Sequence, residues 1–233
     1  MPSVSALRAT KRGRIALHID GQFVCTLTEA LVARHHLFAG KELDAAEVEA
    51  LRAEASAARV LADAYRLLGY RSRSRAELRR RLLDKGHAEH EIAPVLERLD
   101  ADGLLDDAAF ARAFATDKRR LSGWGSERIA RALAQAGVAD EHARAALTAT
   151  AAEAPAGAAS GEGGAHDDEP DPDEAELARA LAALERRGRA APPLDAARAR
   201  AFQFLRRRGY ATQVAYDAVR RWSATASEPE PHD

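Results

Sequence analysis

Leu78-Arg79-Arg80-Arg81-Leu82-Leu83-Asp84-Lys85-Gly86-His87-Ala88 is the stretch that decides the fold, because its pattern returns around Ala136-Gly137-Val138 and again around Arg208-Gly209-Tyr210. Eight residues before the three glycines stand Leu78, Ile129 and Ala201, and four before them stand Leu82, Leu133 and Leu205. Ala88, Ala139 and Ala211 follow two residues after, and Leu96, Leu147 and Val219 ten residues after. Apolar residues four apart, then a glycine, then a second amphipathic period are what a helix, a left-handed C-terminal cap and a following helix require. The unit is therefore helical and occurs three times.

Capping residues extend the reading outward. Ser74 with Glu77 opens the second helix of the first repeat, and its third helix runs from about Glu89 to Ala101, closed by Asp102-Gly103. Asp106-Asp107 cap the next helix, and Gly123-Trp124-Gly125 break it from its successor, with Trp124 packing its loop onto the core. Asp44 with Glu47 starts a helix running as far as Leu68, and Thr28 caps a short one to about His36. The glycines are 51 and then 72 residues apart, and the excess of 21 matches a stretch rich in Ala, Gly, Pro, Asp and Glu that cannot pack. The expected organisation is a hairpin and helical region over 1–56, repeats over 57–105, 106–152 and 173–223, a disordered acidic insert over 153–172 and a disordered tail over 224–233.

Residues 14–27 alternate as a β-hairpin around Asp20-Gly21. A two-residue turn places the two apolar sets on opposite faces, so a three-residue loop ending in Gly21 is expected, pairing Leu17 with Phe23 and Ile15 with Cys25. The fold class is thus all-α: tandem three-helix repeats in an elongated arrangement, with a small N-terminal β-hairpin and helix.

Composition agrees. The 233 residues are 46% hydrophobic and only 5% aromatic, and the dominant Ala, Leu and Arg all favour helix. Cys25, the sole cysteine, excludes an intramolecular disulfide and a Cys-based zinc site and fits the cytoplasm. No apolar run nears the roughly 20 residues of a membrane helix, and no signal core opens the chain. Charge is segregated: residues 153–176 hold nine acids and 223–233 hold three, with no Lys or Arg in either. Setting these aside leaves 35 basic against 24 acidic residues, a body of +11 suited to a polyanion or an acidic protein surface.

Three basic triplets occur, Arg79-Arg80-Arg81, Lys118-Arg119-Arg120 and Arg206-Arg207-Arg208. Each fans over roughly 200° of helix and cannot be wholly buried. With Arg73, Arg75, Lys85 and Arg128 they are the candidate partner- and DNA-binding residues, against the plain alternative of solvated helix faces. Base readout by a helix-turn-helix is disfavoured in the first repeat, where the helix after the turn carries Glu89, Glu91, Glu97 and Asp100 against Arg98. His87, His90 and Glu91 read as surface residues rather than metal ligands, as do His35 and His36. No nucleophile motif or phosphate loop is present, so neither an enzyme nor a cofactor is expected.

Four stretches, Arg71-Ser72-Arg73-Ser74-Arg75-Ala76-Glu77-Leu78, Gly103-Leu104-Leu105-Asp106-Asp107-Ala108-Ala109-Phe110-Ala111, Gly123-Trp124-Gly125-Ser126-Glu127-Arg128-Ile129 and Phe204-Leu205-Arg206-Arg207-Arg208-Gly209-Tyr210, resemble the RecX family of recombinase regulators. They run in order through residues 57–222; the acidic insert departs from the family pattern, and the N-terminal region occurs only in some members. The resemblance implies tandem three-helix repeats and a monomer that binds the RecA filament on single-stranded DNA. It also implies loss of ATP hydrolysis, strand exchange and coprotease activity, within homologous recombination, DNA repair and the SOS response. A sequence-tolerant nucleic-acid-binding protein and a helical adaptor for an acidic protein are the alternatives.

Overall fold

Alternating apolar residues at the N-terminus pair as strands, and among the described residues the named elements after Thr28 are helices, as the capping residues require. The computed structural model describes residues 1–11, 13–151, 171–188 and 194–224, and the chain divides into two units, Met1–Leu105 and Asp106–Asp233. Residues 153–170 of the acidic insert and 225–233 of the tail lie outside the described residues.

In the first unit, β1 (Val4–Ala9), β2 (Ile15–Ile19) and β3 (Gln22–Leu27) form an antiparallel sheet in that order, so the hairpin gains a strand that the sequence reading left out. The expected register is also corrected. Ile15 faces Leu27 and Leu17 faces Cys25, while Phe23 faces His18. The turn has two residues, Asp20 at φ 48° and Gly21 at φ 80°, matching the twist of the strands. A bulge between Leu17 and His18 absorbs the mismatch that a two-residue turn creates, leaving Val24 as the extra residue. Leu17 and Leu27 thus share a face, and Phe23 is 60% exposed rather than in the core.

Thr28 caps α1 (Glu29–Arg34), and Asp44 and Glu47 exchange hydrogen bonds of 2.7 and 2.8 Å to open α2 (Ala45–Tyr70). This 26-residue helix serves two cores. Its Leu51 and Ala55 bury against the sheet with Val4, Leu17, Ile19 and Leu27. Its Val60 and Ala64 bury against α3 (Arg75–Asp84) and α4 (Glu89–Ala101) through Leu78, Leu82, Ile92 and Leu99.

The second unit holds α5 (Asp107–Ser122), α6 (Ser126–Gln135) and α7 (Asp140–Ala149), then α8 (Pro172–Glu185), α9 (Leu194–Arg208) and α10 (Thr212–Ala224). In each trio the first helix packs chiefly on the third. The trios turn alike. Gly86, Gly137 and Gly209 take φ of 85°, 76° and 83°, a left-handed conformation that an L side chain resists. The next residue's N–H returns to the carbonyl five back: His87 to Leu82 at 3.3 Å, Val138 to Leu133 at 3.0 Å and Tyr210 to Leu205 at 3.2 Å. Leu78, Ile129 and Ala201 are all buried, as are Leu82, Leu133 and Leu205. The chain is therefore built of tandem three-helix repeats behind a small N-terminal sheet.

Four of the nine acids assigned to residues 153–176 belong to this helical body. Asp171 caps α8, while Asp173, Glu174 and Glu176 lie in its first turns, and Glu176 is buried.

Candidate partner interface

In the first unit the basic helix is neutralised largely by its own neighbours. Ser74 Oγ accepts the Glu77 amide at 3.1 Å, which starts α3 and turns the Glu77 side chain inward. There its carboxylate takes Arg71 Nη1 at 3.0 Å and Nη2 at 2.5 Å, together with Arg73. Burial pushes the Glu77 carboxyl up, but the two guanidiniums outweigh it and hold it below the usual range. Arg73 also donates Nε to Leu67 O at 3.1 Å. Arg75 meets Glu97 and, at 3.7 Å, Asp100; Arg79 meets Glu89 at 2.6 Å, a hydrogen bond that raises its pKa. Arg81 lies 4.0 Å from Asp84 and Lys85 3.7 Å from Asp63. Among the described residues, Arg80 is the candidate of this unit with no carboxylate within 4.0 Å. The acids of α4 that disfavour base readout are the ones that pair with α3.

In the second unit the repeats meet end to end. The free amides at the start of α6 are met by carbonyls at the end of α9: Gly125 N donates to Arg208 O at 2.8 Å and Glu127 N to Gly209 O at 3.1 Å. Between them Ser126 N and Oγ reach the buried carboxylate of Glu176 at 2.8 and 2.6 Å. A positive helix end thus faces a negative one, with a carboxylate completing the cap. Both sides are glycine because the backbones touch. A Cβ on Gly125 would lie 2.4 Å from Gly209 O, and one on Gly209 would lie 2.2 Å from Arg128 Cβ.

This seam collects two of the three basic triplets. Arg128 Nη1 donates to Arg207 O at 3.2 Å, and Arg208 Nη1 donates to Ser122 O at 3.1 Å. Arg206 reaches Glu127 at 3.1 Å. Lys118 Nζ and the Arg128 guanidinium stand 5.0 and 4.0 Å from the Trp124 ring centre, while Arg208 and Arg187 stand 4.5 and 4.8 Å from that of Phe204. Lys118, Arg128, Arg207 and Arg208 have no carboxylate within 4.0 Å among the described residues. Lys118, Arg128 and Arg208 form a cationic cluster around the Ser122–Gly125 loop, held by aromatic faces and carbonyls that leave its charge uncancelled, while Arg207 lends its carbonyl to Arg128 and is itself exposed.

Arg119 and Arg120 part company. Arg120 is exposed, but Arg119 turns inward at 8% exposure and donates to Thr150 Oγ1 at 2.8 Å, Ser126 Oγ at 3.0 Å and Leu147 O at 3.2 Å. Trp124 packs edge-on against Phe114 at 6.4 Å and belongs to the rim of the core, as expected of its loop. Phe114 and Phe204 stand four residues before Lys118 and Arg208 on the same helices, a local spacing that could have marked them, whereas Arg187 meets Phe204 only in the folded chain and carries no signal in the sequence.

Three other titratable groups, His87, Asp63 and Glu91, take partners within the fold. His87 is buried, not on the surface, and its Nε2 lies 2.9 Å from Asp63 Oδ2. Burial raises the Asp63 carboxyl, but the His87 hydrogen bond and the charges of Lys85 and Arg66 outweigh it and keep its pKa low. Glu91 turns elsewhere, accepting from Ser56 Oγ and from Ala88 N at 2.9 Å, and both bonds lower its pKa. Among the described residues no group of three or more His, Cys, Asp or Glu could hold a metal ion, and no helix is long and apolar enough to cross a membrane.

Comparison with known proteins places the two turns in a family context. Residues 61–99 match the model of the first three-helix domain of RecX, and residues 106–147 that of the second. The regulatory protein RecX of Halorhodospira halophila is 36% identical over 171 residues, covering 72% of this chain and 88% of that protein. That of Halalkalibacterium halodurans is 33% identical over 143 residues, 60% of this chain and 54% of its own length. The chain spans about half the length of several curated relatives it matches. A crystal structure of a regulatory protein RecX shares the fold at a TM-score of 0.65, with 22% identity, covering 95% of this chain and all of that one.

Proposed function

Because this chain belongs to the RecX family, we propose that it regulates the RecA recombinase, binding its filament on single-stranded DNA and lowering ATP hydrolysis, strand exchange and coprotease activity without chemistry of its own. It acts as a monomer in the cytoplasm, and its setting is recombinational DNA repair and the SOS response. The observation that carries the reading is the cluster of Lys118, Arg128 and Arg208, uncancelled by carboxylates and braced on Trp124 and Phe204, with exposed Arg207 beside Arg208 in the chain. Such a surface favours phosphates or an acidic protein face, and several weak contacts on a repetitive filament sum to avidity. Arg80 and Arg120 extend the set of available cations. Arg73 and Arg119 serve the fold, and Arg75, Arg79, Arg81, Lys85 and Arg206 must exchange a carboxylate before they contact a partner.

A second reading, sequence-tolerant binding to nucleic acid alone, is favoured by the aromatic faces beside these cations. One experiment separates the two. Filament ATPase and bare single-stranded DNA affinity are measured across salt for wild type, for Arg128→Ala with Arg207→Ala, and for Arg80→Ala. A regulator loses inhibition in the double variant at concentrations where naked DNA is unbound. A DNA binder loses both together, and its salt slope falls by about 0.7 per lost phosphate contact. Unchanged inhibition and unchanged slope would exclude the cluster from either role.

A further inference from the structure

The two edges of the sheet are treated differently. Residues 40–43 close the β1 edge: Val4 N donates to Lys41 O and Gly40 N to Val4 O, both at 2.8 Å, and Ser3 bridges Glu42. β3 pairs only with β2, and no backbone hydrogen bond joins its other edge to any described residue. An open edge is a template for another strand, and proteins usually blunt it with proline, an inward charge or a covering segment. β3 reads Gln22-Phe23-Val24-Cys25-Thr26-Leu27 and has neither proline nor charge. Beside it α2 leaves a groove of about 410 Å³, lined by Phe23 to Thr26 on one wall and by Arg52, Ser56 and Arg59 on the other.

We propose that this groove receives an extended acidic segment of a partner protein as a fourth strand, its backbone bonded to β3 and its carboxylates against Arg52 and Arg59. The two arginines lie seven residues apart on α2, so they stand about 10 Å apart along one face of the helix. Arg59 has no carboxylate within 4.0 Å among the described residues, and the one partner of Arg52 is exposed Glu49 at 3.3 Å, a contact that a new carboxylate displaces at little cost. Glu91 also lines the groove and accepts from Ser56 and Ala88 N, bonds that favour its ionised form, so the incoming carboxylates must keep to the arginine wall away from it.

The sheet's two faces set the pattern of the guest. Alternate side chains of an added strand point to the core side, where the arginines are, and to the outer side, where exposed Phe23 lies edge-on to His18 at 5.9 Å. The fitting segment therefore alternates acidic and apolar residues. A nucleic acid fits less well, because a strand edge presents carbonyls as well as amides and phosphate only accepts. A second copy pairing β3 to β3 brings four arginines together. The proposal stands whether or not the recombinase is the target.

The test uses the full chain and a short fluorescent peptide alternating glutamate and valine. Saturable anisotropy is expected, with hydrogen-exchange protection confined to β3 and the facing side of α2. Arg52→Glu with Arg59→Glu weakens binding by about tenfold or more, while the circular dichroism and melting of the chain stay unchanged. Methylating the peptide amides that face β3 abolishes binding with the charges intact. Lack of saturation, equal binding of a lysine-valine peptide, protection elsewhere, or affinity that survives the double charge reversal would each overturn the proposal.

Discussion

Replacing Gly125 by alanine tests the end-to-end seam with little backbone strain, because Gly125 sits at φ −81°, which any residue adopts. The added methyl would lie 2.4 Å from Gly209 O and 2.5 Å from both Gly209 C and Tyr210 N, all backbone atoms that cannot swing aside. Relief requires parting the ends of α6 and α9, with loss of the bonds from Gly125 N to Arg208 O at 2.8 Å and from Glu127 N to Gly209 O at 3.1 Å. At about 1 kcal/mol each, plus the cost of polar groups left unmet, the substitution destabilises the second unit by about 2–3 kcal/mol. Gly209→Ala meets the same barrier and adds about 1 kcal/mol for its φ of 83°. Gly86→Ala carries the strain alone, about 1 kcal/mol, since nothing lies within 4 Å of its added methyl. The Gly125→Ala, Gly209→Ala double variant costs little more than Gly209→Ala, because one seam opens only once. Trp124 and Trp222, the two tryptophans of the chain, both lie in the second unit, so urea unfolding by fluorescence reports the seam directly, with circular dichroism for Gly86→Ala. A Gly125→Ala cost under about 0.5 kcal/mol, or simple additivity in the double variant, refutes the reasoning.

Two further outcomes follow from the same geometry. Arg119→Ala should destabilise the second unit by about 2–4 kcal/mol by leaving buried Thr150 and its neighbours without their donor, whereas exposed Arg120→Ala stays within about 0.5 kcal/mol; comparable effects in urea unfolding would contradict the assignment. Glu77 and Asp63 have folded pKa values below their unfolded ones, so their contribution is complete above the unfolded carboxylate pKa, near about 4, and is lost as pH falls through the folded values. The stability gap between wild type and Glu77→Gln, measured by denaturant, should therefore hold from neutral pH to about pH 5 and narrow progressively as pH falls below about 4; a gap that does not narrow there would show that the charge of Glu77 is not what Arg71 and Arg73 hold.

The helices were legible because their signals are local. Ser74, Asp44, Thr28 and Asp106 mark starts by accepting amides within three residues, and Gly86, Gly137 and Gly209 mark turns through one left-handed residue each. The hairpin register departs from simple alternation by one residue: the bulge at Val24 lets Leu17 and Leu27 both enter the first core, a choice that alternation alone does not encode. The surface status expected of His87 failed similarly, since its burial comes from Asp63 on another helix, 24 residues away.

Residue spacing by itself determined that this chain is a series of helix-turn-helix units with a basic surplus, because period, caps and charge are properties of neighbouring residues. Which of those cations remain available was decided only by tertiary structure. The acids of α4 fold back on the arginines of α3, Arg119 is drawn into the interior, and Lys118, Arg128 and Arg208 meet across 90 residues of sequence, from 118 to 208, where two helix ends abut. Coulomb interactions depend on distance through space, and the glycine contact that sets those distances is made between segments that no local pattern relates.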